Sequence, residues 1–451
     1  MRLGRFFRRS SEKREPEGGR IDDEGVRRDD RPFGDVESEV PEFDPAAGDP
    51  DGAWRERAAS LIPGGASTGS KRPEALYGNS EAMGPAHYVR ASGCTVVTPG
   101  GQRLLDLGMA LGAVSTGYAD ERILRAAFSA AVAGQIATLS PTLEVEIAER
   151  LCEVVPCGEK VRFLKTGAEA VAAAVRIART CTSRNVVIGC GYFGWLDWYR
   201  RDHGVPEGAS ACFVPVPFAD ADALERAVGA AGSDLAAIVL EPVVERLPPT
   251  EWLALARRLC DATGAILIFD EMKTGFRVAR AGYQEVAGVV PDMAVYGKAL
   301  AGGFPLAAVV GRQAIMDAAA RSWISSTLAA ETVALAAAGA VLDIYEQEDV
   351  CGELGRIGRA LREAVERAIA ACGLAGVEVA GCDHMWFLRF SESRWERRFL
   401  ELAVCEGVLF KRGPYNYAAL AHGEEDIAIE VERAASAALV ALREEIAGER
   451  T

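Results

Sequence analysis

The feature that most constrains the fold of this chain is a series of short, mainly apolar runs that alternate with stretches of helical periodicity. The runs are three to five residues long and lie at Asn185–Ile188, Ala236–Leu240, Ala265–Phe269, Ala294–Tyr296 and Ala307–Val310. Strands that are apolar on both sides are typical of parallel sheets with helices on both faces. The pattern therefore predicts an α/β fold whose core, over residues 105–345, is a mainly parallel, doubly wound sheet.

The segments on either side of this core predict a second, smaller domain. Val96–Val97 and Leu104–Leu105 flank a Pro-Gly-Gly turn, which indicates a β-hairpin within residues 53–104. Residues 346–451 contain two helical stretches and a strand candidate, at 354–369, 432–446 and Met385–Phe390. We therefore expect residues 53–104 and 346–451 to form one α+β domain.

The first 52 residues differ in composition from the rest of the chain. Of residues 1–50, 10 are basic and 14 are acidic, whereas charged residues make up 25% of the whole chain. A segment with so little apolar surface does not bury enough of it to offset the entropy of ordering. The sequence predicts a disordered, charged tail over residues 1–52.

Charge and cysteine content exclude several classes of protein. A formal net charge of −15 argues against a protein that binds the nucleic-acid backbone. No apolar run approaches the roughly 20 residues that span a bilayer, and 11 cysteines without a Cys-x-x-Cys pair are typical of reduced thiols. Metal-ligating Cys/His spacing, Gly-x-Ser-x-Gly and Walker A motifs are also missing from the sequence. The sequence favours a cytoplasmic protein without nucleic-acid, membrane or metal partners.

Polar residues follow three of the predicted strands at the point where each strand ends. Glu241, Asp270 and Lys298 are separated by 29 and 28 residues, about the length of one strand–helix unit. Because the carboxyl ends of parallel strands meet at one edge of a sheet, we expect two carboxylates and a lysine to lie there together.

Lys298 is the strongest candidate for a catalytic residue. Seven of the 50 Lys and Arg residues are lysines, and this one lies in Tyr-Gly-Lys-Ala-Leu-Ala-Gly-Gly-Phe-Pro, among small and apolar neighbours. A lysine that is shielded from water has a lowered pKa and can act as a nucleophilic amine. The alternative, a lysine whose charged end reaches solvent, is weaker in this setting.

Two further positions predict contacts to a cofactor. Asp270 ends a buried strand, where a carboxylate needs a cation to remain ionised, and a protonated pyridine nitrogen would supply one. Thr166, Gly167 and Ala168 follow an apolar run and begin a helix, whose free backbone N–H groups can bind phosphate. Each position also has a purely structural interpretation, Asp270 as a helix cap and Thr166 as one half of a capping box.

Residues 189–194 match Gly-x-Gly-x-x-Gly after a strand, the pattern of a dinucleotide-binding loop. The continuation, Trp-Leu-Asp-Trp-Tyr-Arg, is aromatic and charged where that fold needs an apolar helix. A nicotinamide-dependent oxidoreductase is therefore the weaker interpretation. We expect Tyr192 to stack on a planar ring, with core packing as the alternative.

Taken together, these motifs resemble the class III aminotransferases, a fold type I family that depends on pyridoxal 5'-phosphate (PLP), and in particular its glutamate-1-semialdehyde aminomutase-like branch. The resemblance runs from about Leu61 to Ile427. Its most specific segments are 269–277, Phe-Asp-Glu-Met-Lys-Thr-Gly-Phe-Arg, and 296–305, which contains Lys298. It implies PLP as cofactor, an amine donor and a carbonyl acceptor as substrates, and a homodimer with composite active sites.

The resemblance also implies roles for individual residues. Lys298 would bind the cofactor covalently and carry the proton, Asp270 would pair with the pyridine nitrogen, and Tyr192 would stack on the ring. The other positions match cofactor contacts: Thr166, Gly167, Ala168, Glu241 and Thr327, the last of which reaches the phosphate of the partner subunit in the family.

The chain departs from the family pattern near the cofactor. Ala168 stands where Ser or Thr is usual, Lys165 stands where Asn is common, and Phe193 and Leu196 replace two histidines. These changes leave the lysine chemistry intact but alter the surroundings of the substrate.

The sequence thus predicts a PLP-dependent aminotransferase that moves an amino group to a carbonyl acceptor. Gly407–His422 is similar to enzymes of aminoglycoside-type antibiotic pathways, so we expect an oxo-sugar as acceptor, with Lys411 or Arg412 as a candidate contact to the carboxylate of the donor. Three alternatives remain open: an intramolecular aminomutase, a PLP-dependent epimerase or dehydratase acting on an amino sugar, and a catalytically silent protein that keeps the fold. The presence of both Lys298 and Asp270 argues against the last.

Overall fold

The computed structural model describes residues 48–78 and 84–448, apart from the side chain of Glu425. The predicted charged tail lies outside these residues except for its last part, where helix α1 (Pro50–Leu61) begins. Asp49 caps this helix, because its carboxylate accepts a hydrogen bond from the backbone N–H of Gly52 at 2.7 Å.

Strands and helices alternate through most of the described chain. The strands are β1 (Arg90–Ser92), β2 (Thr95–Val97), β3 (Arg103–Asp106), β4 (Lys160–Leu164), β5 (Val186–Cys190), β6 (Phe213–Pro215), β7 (Leu235–Leu240), β8 (Ile266–Asp270), β9 (Met293–Tyr296), β10 (Ala307–Gly311), β11 (Val377–Cys382), β12 (Met385–Phe390), β13 (Val408–Leu409) and β14 (Asn416–Tyr417). The other helices are α2 (Pro73–Tyr77), α3 (Met109–Gly112), α4 (Glu121–Gly134), α5 (Thr142–Val154), α6 (Gly167–Thr182), α7 (Ala221–Ala231), α8 (Thr250–Thr263), α9 (Tyr283–Ala287), α10 (Gln313–Met316), α11 (Thr332–Gln347), α12 (Val350–Cys372), α13 (Ser393–Cys405) and α14 (Glu425–Gly448). None of the described helices is long and apolar enough to cross a membrane.

The largest sheet has seven strands in the order β4-β10-β9-β8-β7-β5-β6. All five apolar runs of the sequence are strands of this sheet, and β6, β5, β7, β8 and β9 run parallel to one another. Helix α6 packs against the sheet through Ala170, Ala174 and Ala178, which are fully buried. These small side chains lie on one face of the helix and let it approach the strands closely. The predicted α/β class and the mainly parallel sheet are confirmed.

The run Ala307–Val310 is the exception to the parallel arrangement. Strand β10 pairs antiparallel with both of its neighbours, β9 and β4. Between Tyr296 and Ala307 the chain has room only for short loops and a 3-10 turn, Lys298–Ala301, whereas a parallel crossover needs a dozen residues or more. The prediction of a parallel strand was therefore wrong here, because the connection is too short.

Two smaller sheets are built from the outer parts of the chain. Strands β2 and β3 form the predicted hairpin, and β13 pairs with β3 in parallel. Strands β11, β12 and β14 form the other small sheet. Residues 90–106 and 408–409 thus share a sheet. The domain boundaries drawn from the sequence stay a prediction.

Candidate active site

The carboxyl ends of three adjacent parallel strands lie at one edge of the large sheet, and a polar residue is found at each. Glu241 follows β7, Asp270 ends β8, and Lys298 follows β9. In the register of β8 and β9, Asp270 is paired with Val295. Val295 precedes the lysine by three residues. The structure therefore brings the two carboxylates and the lysine to the same edge, as their spacing in the sequence predicts.

Lys298 occupies a strained backbone position at the start of the 3-10 turn. Its φ is +47°, a left-handed conformation that costs a residue with a side chain about 1 kcal/mol. The side chain is partly buried, and its amine makes no hydrogen bond or ion pair with any described residue. Burial, and next the positive charge of Lys273, lower its pKa to about 8. Near that pH much of the amine is unprotonated, which is the state that a nucleophile or a base needs.

Asp270 is a buried carboxylate that forms no ion pair with a cation among the described residues. It is 3% exposed, and its Oδ1 accepts one hydrogen bond, from the backbone N–H of Met272 at 3.0 Å. Burial, and next the negative charge of Glu241, raise the pKa of Asp270. A buried carboxylate is ionised when a cation pairs with it. The position therefore fits a protonated pyridine nitrogen, which is such a cation.

The N-terminus of α6 combines a cap with free hydrogen-bond donors. Thr166 forms the predicted capping box with Glu169: the Thr166 hydroxyl accepts from the Glu169 N–H at 3.2 Å, and the Glu169 carboxylate accepts from the Thr166 N–H at 3.0 Å. The backbone N–H groups of Gly167 and Ala168 have no acceptor in the described part of the chain. The threonine side chain is thus occupied by the cap, while two N–H groups remain available to an anion.

Met272 joins the helix terminus to the lysine. A Cβ atom on Gly167 would lie 2.9 Å from Met272 Cε, and one on Gly297 would lie 2.5 Å from Met272 Sδ. Both glycines therefore bring the backbone into contact with Met272, which follows Asp270 by two residues. The free N–H groups, the unpaired carboxylate and the lysine form one cluster, and they match the three functional ends of PLP: phosphate, ring nitrogen and aldehyde.

The loop Gly191–Gly194 packs against both sides of this cluster. A Cβ on Gly191 would lie 2.6 Å from Cγ of Glu241, and one on Gly194 would lie 2.2 Å from Cβ of Ala168. Residues 195–212 are all described and contain no helix, so the dinucleotide-binding alternative lacks the helix that would bind the pyrophosphate. Tyr192 is 64% exposed in this loop and so is open to contact with a ring.

Phe193, which stands at a histidine position of the family, faces the protein core. It is 1% exposed, and its ring lies 5.9 Å from that of Trp198 and 6.3 Å from that of Phe213. Aromatic pairs at such distances add to the packing energy. The replacement therefore contributes an apolar anchor for the loop.

Lys273 is a buried cation that the sequence reasoning did not single out. Its Nζ lies 3.0 Å from Oε1 of Glu241 and 4.9 Å from the ring centre of Tyr415. The signal that would have found it was available, since it is one of only seven lysines and lies within the motif 269–277. Glu241, predicted to contact the cofactor, is thus the counter-ion of this lysine.

Two further buried charges hold the loop after β8 in place. Glu271 accepts hydrogen bonds from the first two N–H groups of α9, at 2.8 and 2.9 Å, and burial raises its pKa to about 7. Arg277 donates to the carbonyl groups of Ala418 and Gly112 at 2.9 and 2.8 Å. The loop is therefore tied to α9, to α3 and to the C-terminal part of the chain.

The remaining predicted positions are spread over the described surface and its cavities. Thr327 is exposed in the loop before α11. Lys411 donates from Nζ to the backbone carbonyl of Arg412 at 2.5 Å, and Arg412 pairs with Glu396 at 3.2 Å. Both basic residues are thus engaged with the protein. Lys411 also lines a cavity of about 190 Å³ together with Lys71.

Comparison with known proteins identifies the family. A family model described as aminotransferase class-III matches residues 76–192 and 217–417, more than half of the chain. The chain belongs to the class III aminotransferases. This class III aminotransferase is 35% identical over 353 residues to a glutamate-1-semialdehyde 2,1-aminomutase from Rhodopirellula baltica, across 73% of this chain and 79% of that protein. It is 28% identical to a 3-aminobutyryl-CoA aminotransferase from Cloacimonas acidaminovorans, across 84% of this chain and 94% of that protein.

The fold of the class III aminotransferase is found among solved structures. It superposes on the PLP internal aldimine form of the FumI protein from Sphingopyxis sp. MTA144 with a TM-score of 0.84 and 27% identity, covering 89% of this chain and 98% of that one. The expected PLP-dependent fold is confirmed, and the protein is a PLP-dependent enzyme of the aminotransferase and aminomutase family.

Proposed function

We propose that this enzyme transfers an amino group from an amine donor to the carbonyl group of a second substrate. The observation that carries the proposal is the cluster of Lys298, Asp270 and the α6 N-terminus around Met272. It offers an amine of lowered pKa, a carboxylate that lacks a cation and free backbone N–H groups, which together fit PLP.

In this proposal the chain's own chemistry is the handling of one proton. PLP, when bound, supplies an electron sink that weakens the bonds to the amine-bearing carbon. Lys298 would hold the cofactor covalently at rest. When the amine of the substrate takes its place on the cofactor, the freed lysine amine would remove a proton from the amine-bearing carbon of the substrate and deliver it to the cofactor carbon that the lysine had occupied. A pKa of about 8 for Lys298 suits both the removal and the delivery of the proton, because acid–base catalysis is most efficient when the pKa lies near the working pH.

We further propose that the acceptor lacks a carboxylate and is an oxo-sugar. The two cations that act on Lys298 are both occupied: Lys273 pairs with Glu241, and Arg277 donates to two backbone carbonyl groups. A carboxylate bound at Lys273 would lie beside the negative charge of Glu241, and Arg277 is buried, at 1% exposure, so neither cation favours a carboxylate on the acceptor. A neutral substrate rich in hydroxyl groups needs no such cation.

An intramolecular aminomutase is the second candidate, and the names of the relatives favour it. Glutamate-1-semialdehyde carries a carboxylate, so that reaction needs a cation to hold its substrate. Lys71 and Lys411 line the cavity of about 190 Å³. Lys411 donates to a backbone carbonyl, whereas Lys71 forms no ion pair with the described residues, so Lys71 is the cation that we propose for such a substrate.

We also propose that two chains form the working enzyme. Residues 131–140 are all exposed, and they include Val132 at 74% and Leu139 at 82% exposure. Trp323, at 88%, and Leu328, at 54%, are exposed on either side of Thr327 in the sequence. Large apolar side chains in such number favour a covering partner. A second copy of the chain would bring Thr327 to the position that the family resemblance implies.

Product analysis tests the proposal. The purified enzyme is incubated with an amine donor and either an oxo-sugar or a keto acid, and separately with glutamate-1-semialdehyde alone, and products are identified by mass spectrometry. An aminated sugar formed in equal amount to the deaminated donor supports the proposal. Amination of keto acids alone contradicts the oxo-sugar assignment. Rearrangement of glutamate-1-semialdehyde without a donor indicates an aminomutase. Loss of water from the sugar, or inversion at its amine-bearing carbon, contradicts amino transfer and indicates a dehydratase or an epimerase.

A further inference from the structure

A second buried lysine, Lys273, lies at the same sheet edge as Lys298. It belongs to the turn that follows Asp270, and its side chain is 12% exposed. Lysine is almost never buried unless it is paired. Here an anion and an aromatic ring both stabilise the ammonium group, whose Nζ lies 3.0 Å from Oε1 of Glu241 and 4.9 Å from the ring centre of Tyr415.

Both partners of Lys273 are themselves held by backbone N–H groups. Oε2 of Glu241 accepts from the N–H of Tyr192 at 3.1 Å, which leaves Oε1 for the lysine. The hydroxyl of Tyr415 accepts from the N–H of Glu245 at 2.6 Å. The ammonium group of Lys273 is therefore fixed in place.

The turn that carries Lys273 is packed against the residues just before Lys298. Met272 contacts Gly297, and a Cβ on Gly275 would lie 2.5 Å from Cδ1 of Tyr296. After burial, the groups with the largest effects on the pKa of Lys298 are two cations, Lys273 and Arg277, and two anions, Glu241 and Asp270. Among the four, Lys273 has the largest effect.

We propose that Lys273 is a positioning residue whose fixed positive charge disfavours protonation of the Lys298 amine and so makes that amine ready to accept a proton. The inference rests on the proposed function, in which Lys298 moves the proton. Two neighbouring lysines cannot both remain charged at low cost, and the one that has a counter-ion keeps its proton. Glu241 decides which one that is: burial alone would lower the pKa of Lys273, but the carboxylate outweighs burial and raises it.

The protonation of Lys298 itself tests this role. The full-length enzyme is loaded with pyridoxamine phosphate, which leaves the lysine amine free, and is labelled with acetic anhydride across a pH series. Mass spectrometry of the Lys298 peptide then gives the midpoint of its titration. We expect a midpoint below that of an ordinary lysine in the parent enzyme, a rise of about one pH unit in Lys273→Met, and a value close to the parent in Lys273→Arg, which keeps the charge.

Glu241→Gln tests the same charge through its counter-ion. It preserves the shape of the side chain but removes the negative charge that keeps Lys273 protonated, so Lys273 is expected to lose its charge and the midpoint of Lys298 to rise, as in Lys273→Met. A rise supports the proposal, and a fall, which would show that Glu241 acts on Lys298 only through its own charge, overturns it. This variant also keeps the proposal falsifiable if Lys273→Met does not fold.

Arg257→Met is the matched control. Arg257 pairs with Asp292 at 2.9 Å, with side chains 19% and 7% exposed, at the opposite end of β9. The midpoint of Lys298 should not change in this variant. An unchanged midpoint in Lys273→Met, an equal shift in both variants, or a shifted midpoint in Lys273→Arg would overturn the proposal. Because labelling needs no turnover, failure of the proposed amino transfer would appear separately, as missing product in the parent enzyme.

Discussion

The two ends of strand β9 carry buried charges in contrasting states. At the start of the strand, Asp292 accepts from Arg257 at 2.9 Å and from the backbone N–H of Leu267 at 2.8 Å. Beyond the other end, Lys298 has no hydrogen bond to the described residues, and Asp270 accepts a single backbone N–H. At the first end the described chain itself supplies the partners, whereas at the second the amine lacks a hydrogen-bond partner and the carboxylate lacks a cation among the described residues.

The two ends of β9 differ in what their buried charges contribute to the stability of the fold. A buried charge without a partner is costly, and Lys298 adds a left-handed backbone to that cost. Such a cost is typical of functional sites, where a bound molecule supplies the missing partners. The start of β9 therefore stabilises the fold, and the opposite end of the strand carries the residues proposed for the chemistry.

The largest expected effect is that of Lys298→Ala. The variant removes the only amine proposed to move the proton, so kcat should fall by a factor of about 10²–10⁴. The free energy of unfolding should not fall, because the amine has no partner to lose. Steady-state kinetics and urea unfolding measure the two quantities. Activity within tenfold of the parent would contradict the proposed role.

The variants Asp292→Asn and Asp270→Asn compare the loss of stability at the two ends of β9. Asp292→Asn breaks a satisfied pair and should lower the free energy of unfolding by about 3 kcal/mol, the low end for a buried pair because Arg257 is partly exposed. Asp270→Asn removes an unpaired buried charge and should leave the stability of the cofactor-free chain unchanged or higher, while activity falls. Equal loss of stability in both variants would show that the two ends do not differ.

Gly194→Ala probes the contact between the loop and the α6 N-terminus. Its Cβ would lie 2.2 Å from that of Ala168, at a φ of +93°, so we expect a loss of about 1–3 kcal/mol and weaker retention of PLP. Gly204→Ala is the matched control, since its φ is +86° but nothing lies within 4 Å of the added atom. Both variants share the backbone strain. Equal losses in thermal unfolding would show that the contact with Ala168 is unimportant.

The smallest expected effect is that of Ala168→Ser. The variant restores a hydroxyl group beside the free N–H groups of α6, and a neutral hydrogen bond contributes about 1 kcal/mol. We expect PLP to bind roughly fivefold more tightly, as measured by equilibrium titration of the cofactor-free enzyme, with kcat unchanged. Weaker binding would place the phosphate elsewhere.

Local patterns in the sequence predicted much of the fold and of the candidate site. The five apolar runs were recognised as strands because burial on both faces leaves a continuous apolar signal. Glu241, Asp270 and Lys298 were placed at one edge because the length of a strand–helix unit is nearly constant. The capping box at Thr166 was readable because its two partners lie three residues apart.

Contacts between distant residues were not readable in this way. The direction of β10 depends on the length of a connection that follows Lys298, and the run itself is apolar in either direction. The role of Glu241 as counter-ion of Lys273 depends on β7 and β8 being neighbours, and Tyr415 comes from the far end of the chain. Phe193, at a position that the family resemblance places near the cofactor, packs into an aromatic cluster, and no local pattern in the sequence indicates those ring contacts.

Local periodicity and the scarcity of lysine were enough to predict the α/β class, the succession of elements and Lys298 as the candidate catalytic residue. Which charges are paired and which are left open could be read only from the fold, because pairing depends on the packing of strands and loops that are remote in sequence. Lys298 was recognisable as a candidate catalytic residue from the sequence. The electrostatic surroundings of its amine could be described only from the fold, which brings Lys273, Glu241 and Tyr415 together.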